Sequence, residues 1–339
     1  MGKFNKIYVL APFGAATGGI ELAHQLVDYL RNKKQECFIV YIDKTFEISK
    51  DQTLTAQYRN YNVQSSNIIE DKNHNMLVLP EIYFDFIYKY TNINIACWWM
   101  SVDNHYSNAC IRDILGFQSS LIKKLRIIKY LLKGDLRKSR NSIKDLKANS
   151  HRIIHFYQSH YAQCHLYSKG FSQVLPLSDF INTDFEIASN IKKEDIILYN
   201  PSKGYKFTKK IIKKMPHRQF IPLKGLSRNQ LKELMTKAKL FIDFGHFPGK
   251  DRLPRETAMS GCCIITGKLG ASFYYEDLPI NETYKFETQK SNIESICERI
   301  DYVLDHYDSC IKDFEYFKKR IIKEKGMFYD EIDDFFINR

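Results

Sequence analysis

Residues Gly245 to Gly261 (GHFPGKDRLPRETAMSG) stand between two apolar, β-rich runs, Leu240–Phe244 and Cys262–Thr266. Lys250, Arg252 and Arg255 place three cations close together there, beside Gly249 and the acids Asp251 and Glu256. A diphosphate is held by cations and by helix-end amides, so this composition suits one. Glu256, near a helix start, suits ribose hydroxyls. In open α/β sheets ligands bind beyond the carboxyl ends of the strands, which is where this loop falls. The competing reading takes Glu256 as a partner of the helix dipole and the cations as a solvated face.

A second loop, Pro12-Phe13-Gly14-Ala15-Ala16-Thr17-Gly18-Gly19, follows the apolar run Ile7–Ala11 and precedes a helical pattern. Small residues there let backbone N–H groups and a helix N-terminus approach an anion. They equally make a tight βα turn that holds nothing. Neither a GxGxxG nor a GK[ST] motif is present. For proton transfer the candidates are Asp103 and His105 in WWMSVDNH, beyond another apolar run, and His246. Asp103 also reads as a turn or N-cap residue, and His105 as an ordinary loop histidine. No DxD triplet and no CxxC pair occur, so no metal site is expected. The eight cysteines read as buried reduced thiols.

Alternating strands and helices must position these loops. Ile7–Ala11, the stripe Ile20, Ala23, Leu26, Val27 and Leu30, and the run Cys37–Ile42 form a βαβ unit. Strands are predicted at Met76–Leu79, Ile93–Met100, Arg152–Tyr157 and Gln173–Leu177, with a helix at Glu81–Tyr90. A second series begins at Asp195. It has strands at Ile196–Asn200, Gln219–Leu223, Leu240–Phe244, Cys262–Thr266 and Thr283–Phe286. A helix is predicted over Tyr205–Lys214, and Ser227 reads as the N-cap of the next. Helices near Asn292–His306 and Ile311–Lys325 end the chain. Such alternation implies two open, doubly wound parallel sheets.

With 339 residues there is length for two medium domains, and 44% hydrophobic content excludes a disordered chain. No stretch reaches the ~18 apolar residues of a membrane span, and the N-terminal apolar run is too short for a signal peptide, so a cytoplasmic location is expected. The net charge of +12 asks for an anionic partner. Between Lys123 and Lys147, ten Lys or Arg face two Asp, and Leu121, Leu125, Ile128 and Leu132 make a helical stripe. This basic insert reads as a membrane-surface element or as an amphipathic hairpin packed on its domain. No nucleic-acid-binding motif accompanies it, so nucleic acid is not an expected partner.

Three stretches carry a family resemblance. TGGIELAHQLVDYLRNKKQECFIVYI, ILYNPSKG and LPRETAMSGCCIIT, in that order, resemble the two-domain GT-B glycosyltransferases. They are most similar to the glycogen-synthase-like group of bacterial enzymes that build capsule and lipopolysaccharide. The resemblance implies two Rossmann-like, doubly wound domains facing across a cleft. Residues 1–178 would form the acceptor-side domain, with a helical insert at about 106–150. Residues 195–310 would form the nucleotide-sugar domain, and helices in 311–339 would pack back on the first. It further implies transfer of a sugar from a nucleoside diphosphate sugar to a saccharide or lipid-linked acceptor, with no cofactor beyond that co-substrate. By position, Glu256 would bind the ribose, Lys203 the phosphates, and Gly18 and Gly19 would lie beside them. Gly249, Lys250, Asp251, Arg252 and Arg255 complete the donor set. The family often has a first glutamate eight residues before the second, and here that position is Pro248. Two alternatives stay open: a transferase using a CMP-linked acid, and a non-catalytic nucleotide-sugar-binding scaffold. As a glycosyltransferase the chain would be cytoplasmic and peripheral on the inner face of the plasma membrane, with an anionic membrane surface as a partner.

Overall fold

The computed structural model describes residues 3–15, 17–108, 142–182 and 191–338. The chain divides into two compact units. One holds the residues to Gln158, Ala162–Ser178 and those from Phe328 onward; the other holds Ser159–Tyr161 and Asp179–Met327.

The first unit is built on a six-stranded parallel sheet in the order β2-β1-β3-β4-β5-β6. Its strands are β1 (Ile7–Pro12), β2 (Cys37–Ile42), β3 (Met76–Pro80), β4 (Asn94–Trp99), β5 (Ile153–Tyr157) and β6 (Val174–Pro176). Parallel strands covered on both faces read as continuous apolar runs, and IYVLA and MLVLP are buried throughout. The expected βαβ unit is present: β1 pairs with β2 from Ile7↔Cys37 to Pro12↔Ile42, and helix α1 (Gly18–Asn32) connects them. Its stripe of Ile20, Ala23, Leu26, Val27 and Leu30 is buried, as the spacing requires. Trp98 and Trp99 point to opposite faces of β4, as adjacent strand residues must. Their indole N–H groups donate to Leu177 O (2.8 Å) and His155 Nδ1 (3.0 Å).

The predicted helix at Glu81–Tyr90 is instead a 3₁₀ stretch, Glu81–Lys89, broken at Tyr83. Glu81, Tyr83, Phe84, Phe86 and Ile87 are buried while Ile82, Asp85 and Tyr88 are half-buried, so the outward positions recur every three residues, as in a 3₁₀ helix. Helix α2 (Val102–Asn108) follows β4. The basic insert falls largely outside the described residues; of its range, helix α3 (Ile143–Ala148), capped by Ser142, is seen. Helix α4 (His160–Ser168) follows β5.

The second unit carries a five-stranded parallel sheet in the order β11-β10-β9-β7-β8. These strands are β7 (Glu194–Tyr199), β8 (Gln219–Pro222), β9 (Ala238–Asp243), β10 (Cys263–Gly267) and β11 (Lys285–Phe286). Helices α5 (Tyr205–Lys214), α6 (Arg228–Lys237), α7 (Arg252–Met259) and α8 (Ile293–Asp305) alternate with them. Ser227 caps α6 as predicted, in a reciprocal capping box with Gln230. The strand predicted at Thr283–Phe286 shrinks to two residues. Asn281 accepts a bond from Thr283 N (3.0 Å) and winds Glu282–Tyr284 into a 3₁₀ turn. The last helix, α9 (Glu315–Ile332), runs past the predicted end at Lys325 because Phe328 and Ile332 are buried and continue its apolar face. Among the described residues seven cysteines are free, six of them buried; Cys110 lies outside those residues. No described helix is long and apolar enough to cross a membrane.

Candidate functional site

In the second unit, parallel pairing of β7, β9 and β10 brings their carboxyl ends side by side, with Tyr199 beside Ile242 and Asp243 beside Thr266. Three loops leave that edge: Asn200–Gly204, Phe244–Asp251 and Lys268–Gly270. Glycines let them touch. Gly204 has φ 66°, and a Cβ there would lie 2.4 Å from Gly245 N. Gly270 has φ 71°, and its Cβ would lie 2.1 Å from Phe247 O. Phe247 N donates to Leu269 O (2.9 Å) and Ala271 N to Phe247 O (2.8 Å), zipping two of the loops together. Gly204→Ala is therefore expected to lose about 1–3 kcal/mol through left-handed strain and backbone overlap. Urea unfolding measures this; wild-type stability in the variant would contradict the close approach.

At the centre is a residue the motif reading passed over. Asp243, the last residue of β9, is buried. Its Oδ1 accepts from Gly245 N (2.8 Å) and its Oδ2 from Asn200 Nδ2 (3.0 Å). Asn200 Oδ1 in turn accepts from Ser202 N (3.0 Å), which sets the turn that presents Lys203. Lys203 Nζ pairs with Asp251, stands 3.8 Å from Asp243 and lies 4.0 Å from the centre of the Phe247 ring. Burial lowers the Lys203 pKa, against the pull of Asp243, to about 8. The same burial raises the Asp243 carboxyl, with Lys203 opposing. A charged residue ending an otherwise apolar strand, LFID, was the available sign.

The four cations proposed for a diphosphate separate into two kinds. Arg255 is 2% exposed and donates to both oxygens of Asp179 (2.9 and 2.5 Å) and to Glu324 (2.8 Å). Lys250 completes the square, 2.9 Å from Glu324 and 3.3 Å from Asp179. Two cations against two carboxylates leave no net charge, so these two cations hold the unit together. Neither carboxylate was legible, because Asp179 lies in a polar connector and Glu324 on α9. Gly249, Lys250, Asp251 and Arg255 line a small recess with Phe247 and Asp277. Lys203 and Arg252 are the others of the set. Arg252 Nε lies 3.4 Å from Glu256 Oε1, and the Glu256 side chain is 9% exposed.

His246 is exposed in the loop after β9. Its ring meets the edge of Tyr161 at 6.1 Å. Asp277, whose oxygens accept from His160 N (2.7 Å) and Tyr161 N (2.9 Å), fixes Tyr161 in place.

In the first unit, Gly18 and Gly19 open α1, where a Cβ on Gly19 would lie 3.3 Å from Met100 Sδ. Thr17 occupies the N-cap without a side-chain cap bond. Asp103 lies in the first turn of α2. His105 is fully buried, its ring 4.7 Å from Trp99 and 5.6 Å from Phe84. Burial lowers its pKa to about 3, with His165 and His155 adding to the effect. A neutral imidazole closed in by rings packs; it does not meet a substrate hydroxyl. At the same edge a group that sequence reading missed, Glu81, is buried and accepts from Met100 N (3.1 Å). Burial raises its pKa to about 7, against the amide bonds it accepts.

No family model matches this chain, and no curated protein matches it. Solved structures do. HepE of Anabaena in complex with UDP is similar over 97% of this chain and 98% of its own, with a TM-score of 0.61 at 10% identity. Sucrose-phosphate synthase of Thermosynechococcus elongatus covers the same shares, with a TM-score of 0.62 at 10% identity. WaaG, a glycosyltransferase involved in lipopolysaccharide biosynthesis, covers 96% of this chain and 98% of its own, with a TM-score of 0.56 at 11% identity. At such identity the likeness is one of fold: two parallel-sheet α/β units, matching those of GT-B glycosyltransferases.

Proposed function

We propose that the chain is a metal-independent glycosyltransferase that moves a hexose from a nucleoside diphosphate sugar to a saccharide or lipid-linked saccharide. Its setting would be bacterial surface polysaccharide synthesis, at the cytoplasmic face of the plasma membrane. The observation that carries this reading is Lys203, a cation braced by Asp243, Asn200 and Asp251 at the carboxyl edge of a parallel sheet. Support comes from the fold, since similar structures hold UDP or UDP-glucose. Transfer requires that the leaving diphosphate be neutralised as the glycosidic bond breaks. Lys203 and Arg252 would meet that charge, exchanging their carboxylate partners for phosphate oxygens. Glu256 would accept from the ribose hydroxyls. His246, exposed on the same loop set, would contact the donor or take the acceptor proton, and Asp103 is the first unit's candidate for that proton. Gly18 and Gly19 are its candidate anion contact. The basic stretch Lys123–Lys147 suits anionic headgroups.

A thermal-shift screen with UDP, GDP, ADP, TDP and CMP and their sugar derivatives tests this. One nucleoside diphosphate at about 100 times its Kd should add about 2.7 kcal/mol of stability. Absence of any shift would sink the proposal, and selective binding of CMP derivatives would favour a CMP-linked acid. Pro248, where a donor-contacting glutamate is common, favours a second reading as a non-catalytic scaffold. Selective binding without turnover would support that one.

A further inference from the structure

Between Ile196 and Lys232 the chain has ten Lys or Arg and no Asp or Glu. The densest part is α5, where Lys206, Lys209, Lys210, Lys213 and Lys214 are all exposed while Thr208 and Ile211 are buried. At ~100° per residue these five fall on one contiguous side of the helix, spanning about 140°. Tyr205, 41% exposed, stands at the edge of that side. Pairs such as Lys206/Lys210 and Lys209/Lys213 set like charges at i,i+4, which destabilises a helix. Among the described residues one of the five, Lys214, has an ion-pair partner, Glu294. Exposed Lys224, Arg228 and Lys232 carry the same sign to the start of α6. Arg218, by contrast, is tied to Asp301 (2.8 Å).

Self-repulsion on this scale contributes nothing to the fold, and an anionic partner would offset it. We propose that the lysine face of α5 is a docking surface for an anionic lipid bilayer. Lysine supplies compact, hydrated point charges that suit a diffuse layer of headgroups, whereas discrete phosphates and nucleic acid favour the planar fork of arginine. No exposed ring lies between the lysines, as stacking on single-stranded nucleic acid would need, because Phe207 packs against the core. Tyr205 has the amphipathic ring found at membrane–water boundaries. The proposal rests on and deepens the membrane part of the function proposed above, and it uses lysines other than those of Lys123–Lys147.

The test is cosedimentation with vesicles of phosphatidylcholine, alone or mixed with phosphatidylglycerol. It compares the full chain with a Lys206→Gln, Lys209→Gln, Lys210→Gln, Lys213→Gln variant. Glutamine keeps the helix propensity, and the insert stays intact, so a loss is assigned to α5. Partition onto mixed vesicles should fall at least about tenfold, since each cation near such a surface adds appreciably. Melting temperature should hold or rise slightly as the like-charge pairs are relieved; any nucleotide-induced shift should not change, and it reports on the donor site separately. Equal partition of the two proteins overturns the proposal, as does wild-type protein that ignores anionic vesicles. Loss of binding to duplex DNA or an acidic polysaccharide, with vesicle binding kept, assigns the face to another polyanion and overturns it too.

Discussion

Lys203→Ala is expected to lower kcat/KM for sugar transfer by about 10²- to 10³-fold, the usual effect of removing one preorganised charge from a developing anion. The measurement uses whichever donor the nucleotide screen selects. Truncation leaves Asp243 and Asp251 at the loop edge without their cation, so the variant presents negative charge where the diphosphate would sit. Donor affinity should fall together with rate. The pH profile adds an independent check. Burial holds Lys203 near pKa 8, so it carries its charge below that value and loses it above. For the wild type, kcat/KM, which reports on the free enzyme, should therefore decline as pH rises through about 8. Lys203→Arg should flatten that limb, since a guanidinium stays charged. Full activity in Lys203→Ala would remove this residue from the donor site.

Arg255→Met is expected to cost about 3–5 kcal/mol of stability, because it strands the buried carboxylates of Asp179 and Glu324 with Lys250 as their remaining cation. If Arg255 bound the donor, its loss would cut activity and spare the fold; the ion-pair square predicts that unfolding shifts first. Arg255→Lys should recover part of the loss, because it restores the charge without the two-pronged contact to Asp179. Acid offers a second readout. Burial pushes the Asp179 carboxyl up, but Arg255 and Lys250 pull it further down, from the ordinary 3.8 to about 2. A carboxylate held below its unfolded pKa contributes fully above about pH 4, and the contribution is lost as pH falls toward 2. Acid unfolding of Arg255→Met should begin at higher pH than that of the wild type. Urea and acid titrations followed by circular dichroism measure both effects, and an unchanged midpoint would contradict the square.

The fold was legible because its information is local. IYVLA and CFIVYI are apolar without interruption, as strands covered on both faces must be, and the small residues between them leave room for the turn into α1. Ser227 and Gln230 declare the start of α6 within four positions. Where burial overrode the local pattern, reading failed. Glu81–Lys89 is 3₁₀, kinked at Tyr83 and half-buried at every third residue, and α9 outruns Lys325 because Phe328 and Ile332 find cover.

The candidate site divides along the same line. Sequence alone placed Lys203, His246, Asp251 and Glu256 beyond the ends of strands, since strand polarity and loop position follow from the order of elements. It also held, unread, the acid-free stretch from Ile196 to Lys232. Tertiary structure decided which cations are sealed between buried carboxylates. Arg252 and Arg255 look equivalent in the motif. Yet Arg255 is closed in by Asp179 and Glu324, one before the second sheet and one on the last helix. His105 and His246 look equally available, yet one is sealed among rings and the other stands exposed. A side chain's type and neighbours along the chain set what chemistry it can do. Whether that chemistry reaches a substrate depends on burial and on charges brought from far away in the chain, and only folding assigns those.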